Sequence, residues 1–260
     1  QSVGAWSPVS NTLTEELFST TTNNAFLAFI IKPFGQGVTV GDPNTSSPGS
    51  ISTVLSATGK LRFGNISTTI LKNRYHLIGN PYASPISVGP LLSSNPNKTT
   101  GKIWVLDSKL GSFGGYVTYD ATTGLWSDPT ALHNGSTVIQ SGEGFFVKTA
   151  NLGTASTTFN IVESLKNETI SSASVFGRSA QATSETNDSF ELMRVLLKKV
   201  TNGVASHEDG STVVFYAGGV NEVDESDAEK FSNPTGTISL INGATRLAIE
   251  HRATVVAGEI

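Results

Sequence analysis

Cysteine is absent from the 260 residues, which excludes disulfides, zinc–thiolate centres and cysteine nucleophiles. The absence leaves the compartment open, because a chain of this length can bury a core without covalent staples. Charge is also scarce: charged residues are 15% of the chain, the net charge is −4 and the pI is near 5.6. Recognition of nucleic acid or anionic lipid needs concentrated Lys and Arg, so no nucleic-acid partner is expected. Long apolar runs are missing as well. The longest, AFLAFII from Ala25 to Ile31, stops at Lys32-Pro33 and suits a buried strand, not a membrane span. No positively charged, apolar leader is visible, and the chain opens at Gln1, as a processed form or an excised piece would. Catalytic signatures are absent in the same way. There is no HExxH, no GxSxG and no phosphate loop, and Gly142-Glu143-Gly144-Phe145 lacks the third glycine and following helix of a dinucleotide site. The expectation is a protein without enzymatic activity.

What the chain does contain is Gly, Ser, Thr and Asn, whose side chains favour turns and strands over helix interiors. Strand signals bounded by turn residues recur: Ala25–Ile31, Gly37–Val40, Ile51–Ser56, Gly59–Phe63, Tyr75–Gly79, Lys102–Leu106, Gly115–Asp120, Val138–Ser141, Gly144–Thr149 and Ser156–Ile161. In KIWVLD, Ile103 and Val105 should face opposite to Trp104 and Leu106. YVTYDATTGLW reads as a hairpin with its loop at Asp120 to Gly124. Helical periodicity is limited to Thr12–Phe18 and Glu225–Phe231, the second with Ser226 or Asp227 as its cap. From Lys166 to Asn187 the chain turns polar and weakly patterned, and new strands follow at Phe190–Val200, Ser211–Ala217, Gly236–Ile241 and Arg246–Glu250. The fold class expected is all-β: an antiparallel sandwich, jelly-roll or immunoglobulin-like, in two modules. Residues 1–165 form the first, 166–189 a polar linker or crossover, and 190–260 a second module that is expected to be short of strands.

The histidines His76, His133, His207 and His251 show no metal-ligand spacing, and each is read as structural or solvent-facing. Paired carboxylates could serve glycoside hydrolysis, but Asp120 and Asp128 fall in turn signals, and Asp107 and Glu143 beside strand ends. Two binding alternatives are carried forward. Trp104, Tyr119 and Trp126, with Tyr116 nearby, fall in adjacent strands and a hairpin; on one exposed face they would stack on sugar rings, and otherwise they fill a core. Glu222, Asp224 and Asp227 lie in an acidic cluster that offers oxygen ligands to calcium, although the order and glycine of an EF-hand loop are missing. No other cofactor is expected. N-x-S/T triplets at Asn44, Asn65, Asn97, Asn134, Asn167 and Asn187 are near chance in so Asn- and Ser-rich a chain.

A series of motifs in fixed order carries a resemblance: SATGKLRFGNIS, YHLIGNPYASPI, KIWVLD, GGYVTYD, IQSGEGFFVKTA, FNIVES, MRVLLKKV, NEVDESDAEKFSN and TRLAIEHR. Together they resemble the β-rich region of large Bacteroidota surface proteins exported by the type IX secretion system, over roughly Val38 to Arg252. Tyr75 stands where that family usually has Trp, and family members continue beyond the last motif into a sorting domain. The resemblance implies export and display at the surface of a Gram-negative bacterium, and brings no catalytic residues. The partners expected are other surface proteins or glycans; a second module short of strands would also expose sheet edges, which opens self-assembly by strand addition as a further alternative.

Overall fold

The computed structural model describes residues 61–107, 110, 114–127, 138–151, 153–167, 190–233 and 236–254. The expected helix at Thr12–Phe18, the strands before residue 57, His133, Asp128 and most of the polar stretch lie outside these residues. In chain order the strands are β1 (Ile66–Leu71), β2 (Tyr75–Gly79), β3 (Ile86–Ser87), β4 (Thr99–Asp107), β5 (Gly115–Asp120), β6 (Leu125–Trp126), β7 (Val138–Ile139), β8 (Gly144–Thr149) and β9 (Ser156–Ile161). After the polar stretch come β10 (Glu191–Thr201), β11 (Val204–Tyr216), β12 (Ala228–Glu229), β13 (Leu240–Asn242) and β14 (Thr245–Ala253). A short helix, α1 (Val88–Ser93), and a 3-10 turn at Glu163–Leu165 complete the order. The chain is all-β, built of packed sheets.

The central layer is the five-stranded antiparallel sheet β2-β8-β4-β5-β6. Side-chain alternation sends successive residues to opposite faces, and both faces of β4 are covered. Ile103 and Val105 join a large core with Ile78, Phe145, Val147 and Val117, closed by Ile70 of β1, Phe159 and Ile161 of β9, and Leu91 of α1. Trp104 enters a second cluster with Val214 of β11, Ala228 of β12 and Ile249 of β14. The alternation expected for KIWVLD is therefore the feature that lets one strand serve two cores. The other wall of the second cluster is the sheet β10-β11-β14-β12, with β13 paired to β14. One of its pairs departs from the antiparallel expectation: β11 and β14 run parallel, Val214 opposite His251.

Strands on the two sides of the polar stretch thus meet directly. Trp104 Nε1 donates to the Glu229 carbonyl (3.0 Å), and Thr212 Oγ1 donates to the Ser127 carbonyl (2.8 Å). Asn233 Oδ1 accepts the Tyr116 N–H (2.7 Å), satisfying a donor on the free edge of β5 that would otherwise be orphaned.

The turn after β2 is built around Asn80, which is 2% exposed. Its Oδ1 accepts the Tyr82 N–H (3.0 Å), while Nδ2 donates to the carbonyls of Ser84, Ile139 and Gln140. Tyr82 is buried beside it, its hydroxyl 2.7 Å from the Gly64 carbonyl and 2.9 Å from that of Ile161. GNPY is a corner that ties β2, β7 and β9 together.

Some local expectations are corrected. Glu225–Phe231 contains no helix; Ala228 and Glu229 form β12 against Ile249 and Leu247 of β14. Asp227 caps backbone instead, its Oδ1 accepting the His251 N–H (2.7 Å) and Oδ2 the Asp224 N–H (3.0 Å). No strand runs through the described part of Gly59–Phe63; β1 begins beyond Gly64, where φ is +73°. The strand expected at Ser211 begins at Val204, because Asn202 and Gly203 hold φ of 52° and 79° and close a tight hairpin with β10.

Candidate functional site

The junction of the central and C-terminal sheets concentrates the chemistry-bearing groups. Lys102 and Asp120 are direct cross-strand partners on β4 and β5, so both side chains leave the sheet on the face that Trp104 also occupies. Lys102 Nζ lies 2.9 Å from Asp120 Oδ1, with the two side chains 1% and 0% exposed. His251 reaches in from β14, its Nε2 2.7 Å from Asp120 Oδ2. A carboxylate accepts only, so Nε2 carries the proton, while Nδ1 is buried with no hydrogen-bond partner. Asp120 also holds its own turn, accepting the Thr122 N–H (3.0 Å) and the Thr123 hydroxyl (3.3 Å). Burial opposes its ionisation, but the hydrogen bond from His251 and the Lys102 ammonium outweigh it and hold the carboxyl well below the usual range. The group is a sealed ionic clamp between two sheets.

Beside it lies an aromatic cluster. Tyr75, Trp104, Tyr116 and Phe146 share one face of the central sheet, and Phe231, just after β12, packs on all four. Its ring stacks on Trp104 at 5.5 Å and 10°, and meets Tyr75, Tyr116 and Phe146 edge-on at 4.9, 5.1 and 5.5 Å. At the rim, Glu229 accepts from Tyr75 (2.8 Å) and from Lys148 (2.5 Å). Burial and the neighbouring Glu229 carboxylate push the Tyr75 phenol up. Phe231→Ala should cost about 2 kcal/mol, less than a fully buried Phe→Ala because the ring is only half-buried. Tryptophan emission should shift to the red as Trp104 gains water; an unchanged spectrum and melting temperature would contradict this packing role.

The residues proposed from sequence as a sugar platform do not form one. Trp104, Tyr119 and Trp126 are 1%, 7% and 3% exposed. They also part company across the sheet. Tyr119 pairs with Ile103 and with Trp126, which puts both rings in the first core, opposite to Trp104. Of the calcium trio, Glu222 and Asp224 are exposed and Asp227 is buried, with the Asp227 carboxylate committed to the backbone N–H groups of His251 and Asp224. Asp224 Oδ1 is engaged by the Ser226 N–H and hydroxyl (2.7 and 2.5 Å). Among the described residues no group of three or more His, Cys, Asp or Glu could hold a metal ion.

Another buried pair went unseen in sequence. Asp209 and Lys230, 1% and 2% exposed, meet at 2.6 Å, and Asp209 Oδ2 accepts the Ile238 N–H (2.8 Å). His76, by contrast, has a structural role, its Nε2 2.9 Å from the Leu71 amide nitrogen. A cavity between Thr123, Trp126, Leu192, Thr212 and Ile249 has a volume of about 10 Å3, the scale of one water molecule.

The sequence profile of a domain of unknown function (DUF8693) matches residues 35–258. The chain belongs to this family. No curated protein and no solved structure matches it. The DUF8693 match spans strands on both sides of the polar stretch, and with them every residue of the clamp and the aromatic cluster.

Proposed function

We propose that this DUF8693 chain is a non-catalytic structural or adhesive β-sandwich region of an exported surface protein of a Gram-negative bacterium. The observation that carries the reading is where its charged groups go. Lys102, Asp120, His251, Asp209 and Lys230 are spent joining strands inside the protein, each side chain no more than 2% exposed. Groups held that deep brace a scaffold and are out of reach of a substrate. The order of motifs from Val38 to Arg252 supports surface display by the type IX route, and other surface proteins or glycans as the natural contacts. Protease shaving of intact cells of the source bacterium, followed by immunodetection of this region, tests the proposal. Digestion on intact cells, lost when the secretion system is deleted, is the expected outcome. A region protected in intact cells and recovered with the cytosolic fraction would overturn it.

A further inference from the structure

The β10–β11 hairpin projects beyond the rest of its sheet. β14 pairs with β11 only over Thr212–Tyr216, and every residue from Lys198 to Ser206 is exposed. This tip carries Lys198 and Lys199, with Val200 and Val204 68% and 71% exposed. The other end of β11 leads into the loop 217–227, where Glu222, Asp224 and Glu225 are exposed. There Val220 and Val223 are each 39% exposed. Asn242 of β13 donates to the Asn221 carbonyl (2.8 Å) and ties this loop to the sheet. One end of the strand is therefore basic and apolar, the other acidic and apolar.

At about 3.3 Å per residue, Val204 and Tyr216 lie on the order of 40 Å apart, so a single molecule cannot close the two patches on each other. A second copy displaced along the β11 direction can. The charges attract, and isolated apolar side chains on both surfaces leave water together. Contact between two different patches is heterologous and propagates instead of closing on a two-fold axis. Lateral strand addition is disfavoured on the same hairpin, because Lys198 and Lys199 sit on the edge strand and the ladder is bulged between Leu197 and Lys198.

We infer that the chain associates head to tail with copies of itself, the basic β10–β11 tip of one molecule seated on the acidic 220–227 loop of the next. The inference does not depend on where the protein resides. Sedimentation velocity over a concentration series tests it. The unaltered protein should form elongated, concentration-dependent oligomers at low salt, with the mean mass falling roughly twofold or more as salt shortens the screening length. Lys198→Glu/Lys199→Glu and Glu222→Lys/Glu225→Lys should each be monomeric, the first melting close to the parent and the second somewhat lower, because Glu225 Oε1 accepts the Asn151 N–H (3.0 Å). Mixed one to one, these variants present opposite charges at both junctions, and oligomers should return. A monomer at high concentration and low salt, a closed dimer that does not extend, or no recovery on mixing would each overturn the inference.

Discussion

Asp120→Asn should lower the unfolding free energy by about 3–5 kcal/mol, the cost of leaving a buried charge without its counter-ion. Asparagine keeps the shape and, through Oδ1, the acceptor for Lys102 and the Thr122 N–H, but its amide nitrogen cannot accept from the Thr123 hydroxyl or from His251 Nε2, so the loss combines the charge with those two hydrogen bonds. Lys102, 1% exposed, would be left as an ammonium in a dry interior with a neutral amide opposite. That loss is a large part of the stability of an ordinary domain, and urea denaturation would register it as a fall in midpoint at nearly constant slope. Adding Lys102→Met removes the stranded charge and should recover a large part of the loss, because a well-packed apolar pair can replace a buried ion pair at little cost. A cost below about 1 kcal/mol for Asp120→Asn, the range of exposed ion pairs, would mean that the clamp is not sealed.

The same carboxylate gives the protein an acid-labile term. The Asp120 carboxyl titrates well below the usual range when folded, so its contribution is complete above the unfolded carboxylate pKa of about 4 and drains away as pH falls towards the folded value. Burial pushes Asp209 and Asp227 the other way. Their raised folded values favour the fold at low pH, and that benefit is lost as pH rises through them. Absolute stability curves mix the two signs. The informative quantity is the difference between parent and Asp120→Asn, which should stay flat from neutral pH to about 5 and shrink progressively below that. A pH-independent difference would contradict a charge-based clamp.

The residues that were legible in the sequence were those whose information is local. β2, β5, β8 and β9 appear at the bounds their alternation and turn residues suggest, and KIWVLD announced a strand with two useful faces. The hairpin tip carries a local signal that the expected strand bounds do not use, since Asn202-Gly203 is a strong two-residue turn, and the strand it opens is expected only from Ser211. Helix α1 was hidden by Pro90, which is tolerated because it sits in the first turn. Tertiary contacts overrode local propensity at Ala228–Glu229, where the ladder with β14 displaced a helical pattern.

The candidate site lay further from reach. Aromatic residues close in sequence suggested one platform, but antiparallel register sends Tyr119 with Ile103 and Trp104 with Thr118 to opposite faces. Asp120 and His251 meet across a separation of 131 residues, which no spacing rule anticipates. Asp120 was read as a turn residue, and it is one. Its second oxygen and its buried lysine belong to tertiary structure alone.

Gly219→Ala should be as damaging as loss of the clamp, for a reason that involves no charge. A Cβ at Gly219 would lie 2.0 Å from the Arg252 carbonyl oxygen, 2.2 Å from its carbon and 2.9 Å from the Ala253 nitrogen. Those atoms are backbone at the end of β14, already fixed by the parallel register that sets Phe215 opposite Arg252 and Tyr216 opposite Ala253. No side-chain rotation can relieve the contact, so one strand must move. Overpacking in a rigid interior costs about 1–3 kcal/mol, occasionally more, and a backbone clash this close belongs at or above the top of that range. Moving the end of β14 would also disturb His251, one residue from Arg252, and loosen its grip on Asp120. The two lesions should therefore be less than additive when Gly219→Ala is combined with Asp120→Asn. Gly153→Ala is the matched control, since a Cβ there meets nothing within 4 Å, and it should stay within about 0.5 kcal/mol of the parent. If the two alanine variants melted together, the close approach of the loop after β11 to β14 would be wrong, and with it the path by which the chain leaves β11 for the acidic loop.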